Sequence, residues 1–455
     1  MKFGGTSVGS VEALKRVSEI IASCKGNVVV VTSAMSGITN FLEEAYSVLP
    51  FKAAEVAERF EKKHLEVAEA LLGKDNMSAF LKEFESRMKV FTTLIQDDSS
   101  RLNDPYYMDN VISQGERFSS LLLSHQLILM GKDSAALTSE DCGIRSEGRP
   151  MNGHADLRST EAAMGFMIRP YLDRGCIPVI TGFYGVMENG KPLTFGRGGS
   201  DYSAAVIANA LNADLLEIWT DVDGFMSADP RIVKSAVKIE EMNYGEAAEL
   251  AYFGAKVLHP RTIEPIRMKH IPLRVRNSFR PEDCGTLVSH LRRPREGLLR
   301  SIAAKTDLSI ISFSSSEIAY HPDIVSKILS MLSEEDVTLY SVSTSLSTVA
   351  FLIHNNDVRK TLKKFNGSND PNIERIDIKS NVALISCVGD SLLSRCGVSA
   401  EIFAVVKDAH ASVQMISEGA SDVSLNFVVP MGRVTDIMRM MHARFIEGGQ
   451  PKETE

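Results

Sequence analysis

The chain has 455 residues, 44% of them hydrophobic and 24% charged, with a formal net charge of −8. That length suits roughly three domains, and the composition is that of an ordinary water-soluble globular protein. The acidic balance argues against nucleic acid as a partner, no apolar run reaches the roughly 18 residues of a membrane span, and glycines from position 4 leave no apolar stretch for a signal peptide.

The chain opens MKFGGTSVGS. This is close to a phosphate-binding P-loop, but Ser10 stands where a lysine should follow Gly9. A lysine does occur as Lys2, inside what reads as the first strand. Residues 27–32, NVVVVT, form a β-branched run that predicts a buried parallel strand, followed by the loop Ser33-Ala34-Met35-Ser36-Gly37. Residues 51–95 are amphipathic and charged, with KAAEVAERFEKKHLEVAEALL as the clearest helix, and 109–130 read as another. IPVIT (177–181) and LLEIWT (215–220) read as strands ending at Gly182 and Asp221. Strands alternating with helices predict an α/β domain with a mostly parallel sheet over residues 1–290. Residues 281–297 are rich in Pro, Gly and charge. They read as a solvated linker, with Arg292, Arg293, Arg295 and Arg300 as solvent-facing charges.

The last third contains a repeat. A shift of 74 places Ile302 on Ile376, LSIIS (308–312) on VALIS (382–386), and Val349, Phe351 and Ile353 on Val423, Leu425 and Phe427. Each copy reads strand, helix, strand, strand. Pairing of two such units creates an interface able to hold a small ligand. The six cysteines (24, 142, 176, 284, 387 and 396) and ten histidines show neither C-x-x-C nor H-E-x-x-H. Reduced thiols, a cytoplasmic location and no protein-held metal are therefore expected.

In open α/β sheets, ligands bind beyond the carboxyl ends of the strands. The loops expected there are rich in glycine and hydroxyls: Gly4-Gly5-Thr6-Ser7, Ser33–Gly37, Gly182–Gly185, Thr220–Gly224 and Gly196–Asp201. Such loops bring backbone N–H groups to phosphate oxygens. Lys2, Arg197, Arg231 and Lys256 supply the positive charge that phosphoryl transfer requires. Glu116 reads either as a helix-surface charge or as the partner of a substrate amine. Asp201 reads either as a helix N-cap or as a site carboxylate.

The motifs KFGGTSV (2–8), SAMSGITN (33–40), SQGE (113–116), GRGGSD (196–201), TDVDG (220–224), ADPR (228–231) and FGAKVLHP (253–260) resemble those of the aspartate kinase family, in the family's order. The terminal repeat, with GAS at 419–421, resembles its paired ACT regulatory domains. The resemblance covers essentially the whole chain and is to the monofunctional enzymes. KFGG and GRGGSD occur more loosely across the wider amino-acid-kinase fold. The resemblance implies an amino-acid-kinase-type, mostly parallel sheet sandwiched by helices (1–290), then two ββαββ-like ACT units (300–370 and 374–447). It implies a phosphotransferase with a carboxyl acceptor, using ATP with Mg²⁺ to convert L-aspartate to 4-phospho-L-aspartate, the committing step toward lysine, threonine and methionine.

Residue by residue, Lys2 would neutralise the transferring phosphoryl group and Asp201 would orient Lys2. Arg197 would clamp the α-carboxylate, Glu116 would receive the α-ammonium, and Thr39 and Ser36 would contact the substrate. Gly4, Gly5, Ser7, Thr220, Asp221, Met226, Arg231, Lys256 and Val257 would serve the nucleotide. Ile318, His321, Thr338, Tyr340, Thr344 and Ser345 would form the regulatory site for lysine or threonine, in a homodimer or homotetramer. No general base is needed, because the attacking carboxylate is already ionised at pH 7.

Three departures stand out. Only Met1 precedes Lys2, Met226 replaces the family's usual tyrosine, and Tyr340 and Leu346 replace carboxylates of the lysine-sensitive pattern. Two other readings predict different behaviour: a glutamate-type kinase of the same fold, and an amino-acid sensor that does not turn over ATP.

Overall fold

The structure is a computed structural model that describes residues 1–254, 257–291, 297–368, 372–390 and 392–448. Lys256 and the arginines at 292, 293 and 295 lie outside the described residues. The chain divides into two compact units. The first comprises Met1–Phe225, Glu240–Tyr244 and Val257–Leu291, and the second takes the rest. Segments 226–239 and 245–256 thus group with the C-terminal third rather than with the residues that flank them in sequence.

In chain order, the first unit's strands are β1 (Lys2–Phe3), β2 (Val30–Thr32), β3 (Ser134–Leu137), β4 (Ser146–Arg149), β5 (Asn152–Ala155), β6 (Ile177–Thr181), β7 (Tyr184–Val186), β8 (Pro192–Thr194), β9 (Leu216–Thr220), β10 (Glu241–Asn243), β11 (Leu273–Asn277) and β12 (Thr286–Ser289). Eight of them form one sheet in the order β10-β12-β11-β9-β1-β2-β6-β3, while β4-β5 and β7-β8 are hairpins. From β11 to β3 every pairing is parallel, and β12 runs antiparallel to β11.

Strand β12 corrects the linker expected at 281–297. Thr286 and Val288 are buried while Leu287 and Ser289 are half-buried, an alternation suited to a strand. The charged residues on either side of this short run masked it in the sequence. The amphipathic stretch 51–95 holds the expected helix as Ala53–Leu72 and a second one, Met77–Gln96, parted where Gly73 adopts a φ of +77°.

Strand β1 has two residues but occupies the centre of the sheet. Lys2 pairs with Val31 on one side and Ile218 on the other, and Phe3 is buried against Trp219 with ring centroids 6.0 Å apart. Ser10 caps the following helix, Val11–Ser23, its hydroxyl accepting the Ala13 N–H. Ser10 thus serves the helix instead of standing in for a P-loop lysine.

The second unit holds β13 (Ser301–Ser314), β14 (Ser341–Thr344), β15 (Thr348–His354), β16 (Arg375–Val388), β17 (Met415–Ser417) and β18 (Ser424–Pro430). These form one antiparallel sheet in the order β14-β15-β13-β16-β18-β17. β13 and β16 begin at 301 and 375, the offset of 74 seen in the sequence. The same offset relates two pairs of left-handed residues, Asp307 with Asn381 and Asp336 with His410. Non-glycine residues seldom adopt that conformation, so its recurrence supports duplication more strongly than the apolar pattern does. Each copy runs strand, helix, strand, strand, helix; the closing helices, Asn355–Ser368 and Val434–His442, extend the strand, helix, strand, strand pattern expected of each copy.

Candidate active site

A cavity of about 810 Å³ opens in the first unit, lined by the loops that follow β1, β2, β6 and β8. Lys2 reaches its wall from β1. It is buried, and its ammonium lies 2.5 Å from Asp201 Oδ1. Asp201 is in the first turn of the helix Gly199–Ala210, whose N-cap is Gly198. The N-cap reading of Asp201 is therefore wrong; its carboxylate is engaged by Lys2. Gly198 has a φ of +72°, and a Cβ there would fall 2.3 Å from the Cβ of His259. Only glycine lets this turn aim a helix N-terminus, with its favourable dipole, at the cavity.

Glu116 reaches the cavity from the helix Gln114–Leu129. This helix packs tightly on the 33–40 loop, since a Cβ at Gly115 would lie 2.7 Å from that of Ala34. Glu116 Oε1 accepts the Ala34 N–H at 3.0 Å, while Oε2 is buried and has no hydrogen-bond partner among the described residues. Burial pushes its carboxyl up to about 8, against the partial relief of the Ala34 N–H and the charges of Arg117 and Lys2. Ser119, one turn on, donates to Ser33 O at 2.7 Å and fixes the same loop.

Arg197 also lines the cavity, is exposed, and forms no ion pair among the described residues. Ser36, Thr39 and Gly5 lie on the wall as well. An acidic pole at Glu116, a basic pole at Arg197 and a second cation at Lys2 give this space the charge pattern of a zwitterion with a further anion beside it.

The residues expected to serve the nucleotide are less gathered. Gly4 shapes the turn, its carbonyl accepting the N–H groups of Ser7 and Val8. Ser7 is buried, with its hydroxyl 3.0 Å from that of Ser278, and Ser278 N–H in turn donates to Thr220 O. The Thr220–Gly224 loop is further held by Asn277, whose side-chain amide donates to Asp223 at 2.6 Å. Thr220 Oγ1 donates to Asp221. Val257 belongs to the first unit, Met226 and Arg231 to the second. Arg231 is exposed and pairs with Asp229 at 2.6 Å.

Among the regulatory candidates, Ile318 is buried in the core of the first repeat. His321 is exposed at the start of the helix Pro322–Glu334, near Glu317 and Asp323. Thr338, Thr344 and Ser345 are exposed, and Ser345 N–H donates to Thr348 O. Tyr340 lies beside Tyr252 and under the Lys305 ammonium.

Sequence reasoning missed Met151 and Phe183 on the cavity wall. Phe183 lay in a loop already marked as ligand-facing. Met151 had no signal, because only the β4-β5 hairpin brings it there.

Comparison with known proteins bears on this geometry. The amino acid kinase family pattern matches residues 1–277, and an ACT domain pattern matches 385–445. The chain is 30% identical over 453 residues to lysine-sensitive aspartokinase 3 of Escherichia coli (strain K12), covering 98% of each protein. It is 30% identical over 455 residues to the aspartokinase of Geobacillus stearothermophilus, covering 98% of this chain and 96% of that one. The structure of E. coli aspartokinase III with aspartate and ADP, in the R-state, superposes with a TM-score of 0.82 at 29% identity, covering 97% of this chain and 98% of that one. The T-state of the same enzyme, with lysine and aspartate, matches with the same TM-score and identity over 98% of each chain. With its cavity, its C-terminal repeat and 30% identity to aspartokinases over nearly their whole length, this chain belongs to the aspartokinase family.

Proposed function

We propose that the cavity of the first unit binds L-aspartate between Arg197 and Glu116 and presents its side-chain carboxylate to ATP beside Lys2. The enzyme is a kinase that phosphorylates aspartate to 4-phospho-L-aspartate. A side-chain carboxylate oxygen forms a bond to the γ-phosphorus, the bond from phosphorus to the β,γ-bridging oxygen breaks, and ADP leaves with that electron pair. No proton is transferred, since the attacking group is already an anion. The protein's work is positioning and charge neutralisation.

In this reading Lys2 neutralises the transferring phosphoryl group and Asp201 orients Lys2, consistent with their 2.5 Å contact. Arg197 takes the α-carboxylate, Glu116 the α-ammonium, and Ser36 and Thr39 complete the substrate contacts. Mg²⁺ arrives with ATP as part of the substrate. Gly4, Gly5, Thr220, Asp221, Met226, Arg231, Lys256 and Val257 carry over from the family as nucleotide contacts. Ser7 holds Ser278 and acts on the nucleotide through the loop it fixes. The kinase domain spans 1–290 and the ACT units 300–370 and 374–447. Lysine or threonine bound to the ACT pair shifts the enzyme between kinase conformations. The enzyme acts in the cytoplasm as a homodimer or homotetramer.

The observation that carries this reading is the convergence of Lys2, Asp201, Arg197 and Glu116 on one cavity. The test is ATP-dependent hydroxamate formation in hydroxylamine with aspartate or glutamate as acceptor. Product from aspartate is expected. Product from glutamate alone would assign a different kinase, and none from either would favour a sensor.

A further inference from the structure

Outside the cavity lining lies a further carboxylate, to which the reaction gives no role. Asp109, on the short helix Tyr107–Ile112, is wholly buried. Its Oδ1 accepts the Thr194 N–H at 2.8 Å, the Thr194 hydroxyl at 2.6 Å and the Met151 N–H at 3.0 Å, and Oδ2 lies 3.2 Å from the same Met151 nitrogen. No cationic side chain pairs with it among the described residues. Burying a carboxylate among neutral donors is costly, and an apolar residue would fill the space at less expense.

What the carboxylate joins is informative. Thr194 ends β8 and lies three residues before Arg197. Met151 sits at the tip of the β4-β5 hairpin with a φ of +61°, a left-handed conformation that a residue with a long side chain rarely adopts. The two segments meet again at the cavity, where a Cβ on Gly196 would lie 2.9 Å from Met151 O. Met151, Gly196 and Arg197 all line the cavity wall. Asp109 thus grips both segments, as the Arg261 guanidinium also does by donating to Phe195 O and Gly153 O. Asp109 also lies seven residues before Glu116, so one helical stretch braces the Arg197 wall through Asp109 and the 33–40 wall through Glu116 and Ser119.

We propose that Asp109 is a positioning residue for amino-acid recognition: by holding Thr194 and Met151 together it sets the position of the Arg197 loop in the cavity wall. It does not touch the substrate. Its effect falls on the amino acid rather than the nucleotide, because Thr194 leads to Arg197 and Met151 abuts Gly196 beside it. This rests on reading the cavity as the aspartate pocket.

The test uses the full-length enzyme, with aspartate varied at saturating MgATP and MgATP varied at saturating aspartate. In Asp109→Asn, the amide oxygen can keep the Oδ1 bonds, but the NH2 that replaces Oδ2 meets the Met151 N–H donor and the charge is lost. KM for aspartate is expected to rise about tenfold, with KM for ATP changed less than about twofold. A merely structural role would lower the folded fraction, which reduces the maximal rate and leaves both KM values alone. Thr194→Val, which removes one donor, and Thr194→Ser, which restores it, give a second route should Asp109→Asn fail to fold. Valine should raise KM for aspartate and serine should return it toward wild type. An unchanged KM for aspartate in Thr194→Val and in folded Asp109→Asn, or an equal rise in both KM values, would overturn the proposal. Wild-type turnover of aspartate separately tests the reading on which it rests.

Discussion

The catalytic cavity and the regulatory candidates use charge differently. In the first unit, ionisable side chains from three distant stretches of chain converge (Lys2, Glu116, and Arg197 with Asp201), and two of them, Lys2 and Glu116, are buried. In the second, His321, Thr338, Thr344 and Ser345 are solvent-facing and Ile318 packs in a core. A buried charge costs free energy that a fold keeps when something is gained elsewhere, here the capacity to hold a charged ligand. An exposed hydroxyl or imidazole costs almost nothing and so marks nothing. Substitutions in the cavity should therefore have large effects on chemistry, while the second unit should act by modulation.

The sharpest way to break this contrast is Lys2→Ala. Loss of the cation beside the transferring phosphoryl group should lower kcat about 10³-fold, about 4 kcal/mol of barrier. Steady-state rates at saturating substrates measure it. Next comes Arg197→Ala, for which KM for aspartate should rise about 100-fold while KM for ATP stays nearly constant, as initial rates with each substrate varied will show.

Glu116 provides a pH test. Burial raises its carboxyl to about 8, so at pH 7 the empty site is mostly protonated there. An arriving ammonium favours the ionised form and expels the proton. Raising the pH toward 8 removes this competition, so KM for aspartate should fall by up to about tenfold per pH unit and level off above 8. Glu116→Gln should flatten the profile, and calorimetry in buffers of different ionisation enthalpy should detect nearly one proton released per aspartate bound at pH 7. The smallest effect belongs to the second unit. Lysine, threonine or both should change the rate several-fold, within the usual range of coupling between sites. A flat titration would remove the regulatory role.

The α/β core was legible because strands such as IPVIT are continuous apolar runs ending at glycine, and the site loops because glycines and hydroxyls cluster at those ends. Lys2 was legible as the cation inside a strand. The bracing was not. Asp109 is an unremarkable acid in sequence, and its partners at 151 and 194 are brought to it only by two hairpins. Strand β12 was hidden by its charged neighbours. Asp201 shows the limit of local reading: a carboxylate at the start of a helix suits a cap, but Gly198 is the cap and the Asp201 carboxylate is in contact with Lys2.

The central claim is that the side-chain carboxylate of aspartate attacks ATP in this cavity. Aspartate labelled with ¹⁸O only in that carboxylate tests it directly. The enzyme, MgATP and labelled aspartate are combined in hydroxylamine, and the phosphate released as the acyl phosphate is trapped is examined by mass spectrometry. Attack by the side chain predicts one ¹⁸O in each phosphate, because hydroxylamine cleaves the carbon–oxygen bond. Unlabelled phosphate would mean that water or the α-carboxylate took the phosphoryl group, and would contradict the account.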